Sequence, residues 1–132
     1  MEEGKDYATP ESVRAALREK DVEVDGQRYR VRRIEPAEMV EIGGGLDLTG
    51  YLPGGKRERK PDAVEAEAQT RFLGMVVSRG VVSMRVLEPG AEAEDGALQV
   101  EELSAEIVGG LAGAVLGHSG HSLREAIRLR PS

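Results

Sequence analysis

One stretch, residues 22–45 (VEVDGQRYRVRRIEPAEMVEIGGG), constrains the fold more than any other part of the chain. At its centre lies Asp25-Gly26, a pair typical of two-residue β-turns because both residues tolerate left-handed backbone angles. With these two residues as the turn, strand alternation places Val and Tyr on one face and most charges on the other. A slip of one residue would bury the charges, so the sequence predicts a hairpin over residues 22–34 with a single register.

The predicted register gives four cross-strand pairs near the turn, and two of them bring opposite charges together. These pairs are Val24 with Gln27, Glu23 with Arg28, Val22 with Tyr29, and Asp21 with Arg30. Each such pair contributes about 0.2–1 kcal/mol. A two-stranded hairpin is marginal in water on its own, so its apolar face must pack on another element, for which we expect a helix.

A helix over residues 36–43 is predicted directly after the hairpin. Pro36 suits a first helical position, where its missing N–H costs nothing. Glu38 follows near the positive end of the helix dipole. The glycines at 43–45 end the helix, because glycine readily adopts the left-handed conformation of a C-terminal cap.

The remaining patterns complete an α+β fold that is mostly α. We expect an N-terminal arm over residues 1–21, with a short helix near Pro10, and a single domain over residues 22–130. The other predicted elements are a mobile loop over 47–61, helices over 62–79, 104–117 and 122–130, and short strands over 81–87 and 98–100. Asp62, Ser104 and Ser122 are the predicted N-caps. The predicted architecture is a β-hairpin packed on a bundle of about four helices, with a second pair of short strands.

Composition narrows the classes of function. A chain of 132 residues favours one domain, and one Phe, three Tyr and no Trp predict an aliphatic core. The absence of Cys excludes disulfides, a thiolate nucleophile and a Cys-type zinc site. A net charge of -6 argues against general nucleic-acid binding. No apolar run approaches the ~20 residues that span a bilayer, and the N-terminus lacks the pattern of a signal peptide.

His118 and His121, the two histidines, lie beside Ser119 and Ser122 and are the strongest chemical candidates. The spacing would suit a pair of metal ligands or a Ser–His nucleophile. A zinc site needs three or four ligands, however, and a triad needs a third group to orient the imidazole. We therefore favour a polar turn between two helices and keep a small hydrolase as the less favoured hypothesis.

Gly109, Gly113 and Gly117 form a row at four-residue spacing within the helix predicted over 104–117. Such a row permits the close approach of another backbone, so it would suit a self-association face of a homo-oligomer. The alternative, which we favour from the sequence, is close packing against this chain's own 62–79 helix. No Gly-Lys-Ser/Thr follows these glycines, so the pattern does not predict a phosphate-binding loop.

The layout resembles that of the tail assembly chaperones of long-tailed bacteriophages. The phrases that carry this resemblance are VRRIEPAE at 31–38, GVV at 80–82, Leu-Ser at 103–104 and Ser-Gly at 119–120. They lie in the same order as in that family: a hairpin, a Pro-started helix, a helix that ends before a short strand, and a Ser-capped helix. The similarity spans residues 22–127.

The resemblance implies a non-enzymatic assembly factor with no cofactor and no metal. Its expected partner is the tape measure protein, whose apolar helical stripes it would cover until tail-tube protein replaces it. The expected location is the host cell cytoplasm, and the chaperone would be absent from the mature virion. Helix-in-groove recognition is the expected mode of binding. The alternative from another class is a structural virion or connector protein that stays in the particle.

Overall fold

The computed structural model describes residues 7–44, 46–52 and 62–129, with the backbone alone for residues 15–17. The helices are α1 (Pro10–Arg18), α2 (Pro36–Gly43), α3 (Ala63–Gly80), α4 (Ala105–His118) and α5 (Gly120–Leu129). The strands are β1 (Glu19–Val24), β2 (Gln27–Arg32), β3 (Arg85–Leu87) and β4 (Ala97–Gln99). Two short 3-10 turns cover Leu48–Tyr51 and Val100–Glu102. The fold class is α+β and mostly α, as predicted.

The hairpin has the predicted register. Val22 faces Tyr29 and Asp21 faces Arg30, and the turn residues Asp25 and Gly26 have φ angles of 52° and 78°. β1 begins at Glu19, three residues earlier than predicted, so the hairpin takes in part of the expected N-terminal arm. The predicted ion pair of Asp21 with Arg30 forms, at 2.9 Å, whereas Arg28, predicted to pair with Glu23, also contacts Asp21, at 2.6 Å.

The Asp21 carboxylate therefore accepts hydrogen bonds from two guanidinium groups on the adjacent strand. The hydrogen bond from Arg30 is the main cause, and that from Arg28 the second, that lowers the pKa of Asp21 to about 2. This carboxylate stays ionised throughout the physiological range. The solvent face of the hairpin consequently neutralises part of its own charge.

The helical partner of the hairpin is α4, and not the α2 helix that directly follows β2; α2 packs on α5 instead. The approach is close because α4 presents Gly110 to the hairpin, where an added Cβ would lie 2.7 Å from a methyl group of Val24. On its other edge, β2 forms a bridge between Val31 and Val81. The hairpin is thus held from two sides by elements distant in sequence.

The helix boundaries follow the predicted signals at three points and depart from them at a fourth. α2 covers the predicted residues and ends before Gly44, which has a φ of 53°. The N-caps of α3 and α4 are as predicted: Asp62 accepts from the N–H of Glu65, and Ser104 from that of Ile107. α5 begins at Gly120, so Ser122 lies inside the helix and the predicted capping box is wrong.

The two other predicted strands exist but are short. β3 and β4 have three residues each and pair in parallel, with Val86 opposite Leu98. Of the loop predicted over 47–61, Leu48–Tyr51 forms a 3-10 turn, while 53–61 lie outside the described residues. Asp47 caps this turn by accepting a hydrogen bond from the N–H of Thr49.

The core is mainly aliphatic, and its buried aromatic residues are Tyr29 and Phe72. Phe72 is buried and its ring centroid lies 5.0 Å from that of Tyr51, which fastens the 46–52 segment to α3. The other largest fully buried apolar side chains are those of Ile34, Met39, Leu111, Leu123, Val31, Val76, Val77 and Val115. Ile34 comes from the segment between β2 and α2, and the others come from β2, α2, α3, α4 and α5, so all of these elements share one core.

A network of ion pairs joins three elements at the side of this core. Glu38 on α2 contacts Arg32 of β2 at 2.7 Å and Arg79 of α3 at 3.1 Å. Arg79 also contacts Glu41 and Glu88. Burial raises the pKa of Glu38, but the hydrogen bonds and positive charges of Arg32 and Arg79 outweigh it, so the net pKa lies below its ordinary value. Glu38 therefore links β2, α2 and α3 through ion pairs. From the sequence we predicted only its favourable position near the positive end of the helix dipole.

Candidate functional site

The His118–Ser122 segment is the junction between α4 and α5. Nε2 of His118 lies 2.7 Å from the backbone carbonyl oxygen of Arg18, so this imidazole ties the junction to the end of α1. His121 is exposed on the first turn of α5. The two imidazoles thus lie at different places, one in a structural contact and the other in solvent.

The two serines beside these histidines are both buried, but their hydroxyl groups differ in hydrogen bonding. The Ser119 hydroxyl donates to the carbonyl of Val115, at 2.7 Å, and accepts from the backbone N–H of Ile34, at 2.9 Å. The Ser122 hydroxyl is buried and has no hydrogen-bond partner in the described part of the chain. Among the described residues, no hydrogen bond joins either imidazole to either hydroxyl. Ser119 connects the α4–α5 junction to the segment between β2 and α2, as a structural turn would.

The described residues offer no clustered ligand set. Within 7–44, 46–52 and 62–129, no three His, Cys, Asp or Glu side chains converge in a way that could hold a metal ion. A Ser–His nucleophile also needs a third group that orients the imidazole, and the hydrogen bond of His118 is to a backbone carbonyl. The geometry at 118–122 accordingly gives no support to the hydrolase hypothesis.

The row of Gly109, Gly113 and Gly117 does not pack against α3, and the prediction we favoured is wrong on this point. All three glycines are exposed, and a Cβ added to any of them would meet no atom within 4 Å. The reason is the helical period: the core-facing positions of α4 include Leu111 and Val115, which lie on the opposite side of the helix. Self-association through this row stays a prediction.

Other glycines provide the close approaches in the core. An added Cβ on Gly80 would lie 2.6 Å from both methyl groups of Val115, and one on Gly110 would be 2.7 Å from Val24. Gly74 similarly faces Pro89 at 2.7 Å. Of these three glycines, Gly110 lies in α4, the helix for which the sequence predicted close packing, whereas Gly74 and Gly80 lie in α3.

An apolar groove lies between α3 and α4, with a volume of about 880 Å³. We call it the α3–α4 groove. One wall is the first half of α3, and the other is formed by the Val100–Glu102 turn and the start of α4. The apolar residues that line it are Val64, Ala68, Leu73, Gly74, Pro89, Gly90, Val100, Leu103, Ala105, Val108 and Gly109. Its polar lining consists of Glu67, Thr70, Arg71 and Glu101.

The groove follows from where the two helices touch. Near their C-terminal ends α3 and α4 approach closely, because Gly80 admits Val115. Between their N-terminal halves the facing residues include Ala68, Ala105 and Gly109, whose side chains are too small to fill the space. Val64 at the lip is 77% exposed. An apolar strip thus remains accessible to solvent.

The α3 side of this strip belongs to a repeating apolar pattern that is visible in the sequence. Val64, Ala68, Phe72 and Val76 recur at helical spacing, and a continuous apolar stripe of this kind predicts a buried face. Phe72 and Val76 are buried as expected, whereas Val64 is exposed and Ala68 half-buried. The apolar stripe of α3 therefore extends two turns beyond the core, and that excess length was the signal for the groove.

Two acids, Glu67 and Glu101, line the α3–α4 groove, and further acids lie on the segments that form it. The segments 63–74, 89–90 and 100–109 that form it carry five acids and a single cation: Glu65, Glu67, Glu101, Glu102, Glu106 and Arg71. Glu101 accepts a hydrogen bond from the backbone N–H of Gly90 at 2.8 Å, and this bond is the main cause that lowers its pKa. Glu67 lies on the opposite wall and is exposed.

A second concave surface, of about 520 Å³, lies on the solvent face of the hairpin. Its lining is polar, and its main charges already pair with one another, since Arg28 and Arg30 both contact Asp21. A ligand would have to replace these internal hydrogen bonds. The α3–α4 groove, where Val64 at the lip is 77% exposed, is the better candidate for binding.

None of the helices in the described part of the chain combines the length and the apolar character that a bilayer crossing requires. Comparison of the chain with protein-family models, with curated proteins and with solved structures finds no match.

Proposed function

We propose that this chain is a non-enzymatic tail assembly chaperone of a long-tailed bacteriophage, which binds the tape measure protein and keeps it soluble during tail assembly. The observation that carries the proposal is the α3–α4 groove, an accessible apolar surface about 880 Å³ in volume. A contiguous exposed apolar surface on an otherwise polar protein is typical of a protein-interaction site. The order of phrases between residues 22 and 127 supplies the identity of the partner.

The groove suits a helix better than an extended peptide. Its walls are themselves helix faces, with the side chains of Val64 and Ala68 on one side and Ala105 and Val108 on the other. A bound amphipathic helix would place its apolar stripe between these walls, in the mode by which many proteins recognise helical segments. Tape measure proteins are long and largely helical, so they present such stripes repeatedly.

The proposed action is reversible shielding without covalent chemistry. Binding would bury the apolar stripe of the tape measure protein, which removes the driving force for its aggregation. Tail-tube protein would later take the place of the chaperone along the same stripe. Release is feasible because the groove is one surface of a small domain, and the buried area is correspondingly modest.

The test is co-expression of the chain with the long helical protein that the proposal expects to be encoded beside it. Val64→Glu introduces a carboxylate at the lip of the groove, where 77% exposure makes the change harmless to the fold. We expect binding to weaken about tenfold or more, because an apolar partner surface would have to cover a charge. The soluble fraction of the tape measure protein, measured after centrifugation, should fall accordingly.

Val13→Glu is the matched control, since Val13 is also an exposed valine but lies on α1, outside the groove lining. The control should solubilise the partner as well as the unaltered chain does. Equal insolubility of the tape measure protein with and without the unaltered chain would contradict the proposal. Detection of the chain in purified virions would favour the structural virion protein instead.

A further inference from the structure

We infer that the segment bound in the α3–α4 groove is an amphipathic helix whose apolar stripe is flanked by lysine or arginine. This inference rests on the proposed function and specifies the chemistry of the partner. Its basis is the juxtaposition of an apolar channel with carboxylates on both walls, Glu67 on α3 and Glu101 beside α4.

The charged side chains that line the groove are two acids, Glu67 and Glu101, and one cation, Arg71. Five acids and one cation lie on the segments that form it, and the cation, Arg71, is on the same wall as Glu67. Glu101 is held in place because its carboxylate accepts the N–H of Gly90, so its negative charge has a fixed position beside the apolar floor. A helix that enters this groove meets negative potential along both edges of its apolar face.

The same charges argue against a second copy of this chain as the occupant. In a symmetric contact of groove on groove, the acidic rims would face each other and repel. An acidic partner helix would meet the same penalty, whereas lysine or arginine beside the stripe would pair with Glu67 and Glu101. The basic helix is therefore the occupant that the charges favour.

Two synthetic helix-forming peptides of about 18 residues test this inference. Both carry the same leucine stripe, flanked by lysine in one and by glutamate in the other. We expect the lysine-flanked peptide to bind the full chain about tenfold more tightly, a difference of about 1.4 kcal/mol. Fluorescence anisotropy of the labelled peptides gives the two dissociation constants, and added salt should reduce the difference because it screens exposed charges.

Two double variants test whether the preference for the lysine-flanked peptide arises from the α3–α4 groove. The double variant Glu67→Gln, Glu101→Gln should bring the dissociation constants of the two peptides to within about twofold of each other. The exposed ion pairs that can still form contribute little to binding. The amide oxygen introduced by Glu101→Gln would still accept the hydrogen bond of Gly90, so the loop keeps its support. The control combines Glu11→Gln with Glu23→Gln, which changes the net charge equally at exposed sites outside the groove lining and should preserve the tenfold difference.

The outcomes separate this inference from the proposed function. Equal binding of the two peptides, weakened in both cases by Val64→Glu, would overturn the basic-flanked partner and leave the helix-binding groove intact. A lysine preference that survives in the Glu67→Gln, Glu101→Gln variant would also overturn the inference, because net charge alone would then explain it. Failure of both peptides to bind would contradict the inference and the proposed groove together.

Discussion

Replacement of Ser119 by alanine should lower the free energy of unfolding by about 1–3 kcal/mol. The Ser119 hydroxyl accepts the backbone N–H of Ile34, and both groups are fully buried. Alanine would leave that N–H without a partner in the core, at a cost close to the full desolvation penalty of the group. Urea unfolding followed by circular dichroism gives the free energy of unfolding for the variant and the unaltered chain.

Ser122 provides a matched control three residues away. Its hydroxyl is also buried but has no hydrogen-bond partner, so Ser122→Ala removes a desolvated polar group without breaking a bond. We expect this variant to be as stable as the unaltered chain or more stable. Equal losses of stability in Ser119→Ala and Ser122→Ala would show that the hydrogen bond between Ser119 and Ile34 is not what connects the α4–α5 junction to the segment between β2 and α2.

Gly80→Ala should destabilise the fold by about 1–3 kcal/mol through overpacking. The new Cβ would lie 2.6 Å from both methyl groups of Val115, a β-branched side chain whose χ1 torsion has little freedom in a helix. Either the Val115 side chain or the α3 backbone must move, and Val115 is fully buried. Thermal unfolding should therefore show a lower midpoint for this variant.

Gly113→Ala should instead stabilise the fold. We expect the free energy of unfolding to rise by about 0.5–1 kcal/mol, because alanine has a higher helix propensity than glycine. Gly113 lies within α4, is exposed, and has open space where the Cβ would go. A loss of stability in this variant, or a shift to smaller species in size-exclusion chromatography, would indicate that the exposed glycine row is covered by a second copy in solution.

Features that depend on neighbours in sequence were predictable from the chain alone. The hairpin register followed from Asp25-Gly26 and strict alternation, and the α2 bounds followed from Pro36 and the glycines after it. Each of these signals acts within a few residues, so no knowledge of the tertiary fold was needed. The ion pairs of Arg28 were not predictable to the same degree, because a long side chain can reach a diagonal neighbour as well as the residue opposite.

Features that depend on which faces meet were not predictable. α4 is apolar on most of its surface, so its periodicity did not reveal that Leu111 faces the core while Gly113 faces solvent. Ser122 has the spacing of an N-cap to Glu125, but α5 begins earlier, at Gly120, and the N–H of Leu123 donates to the backbone carbonyl of Ser119. Local capping signals could not distinguish these two serines.

The α3–α4 groove was only partly predictable from the sequence. The apolar stripe of α3 was visible in the sequence, but its division into a buried part around Phe72 and an exposed part around Val64 depends on the length of the helices packed against it. The acids near the groove come from two separate segments, 63–74 and 100–109, which only the fold brings together. The common location of these acids could therefore be recognised only from the tertiary structure.

Amide hydrogen exchange on the complex with a soluble tape measure fragment tests the central claim most directly. Binding in the α3–α4 groove predicts slower exchange of the backbone amides in 63–74 and 100–109, with the hairpin amides of β1 and β2 unchanged. Slower exchange confined to the hairpin or to α5, or no change in any segment under conditions where the fragment is bound, would contradict the assignment of the groove as the helix-binding surface.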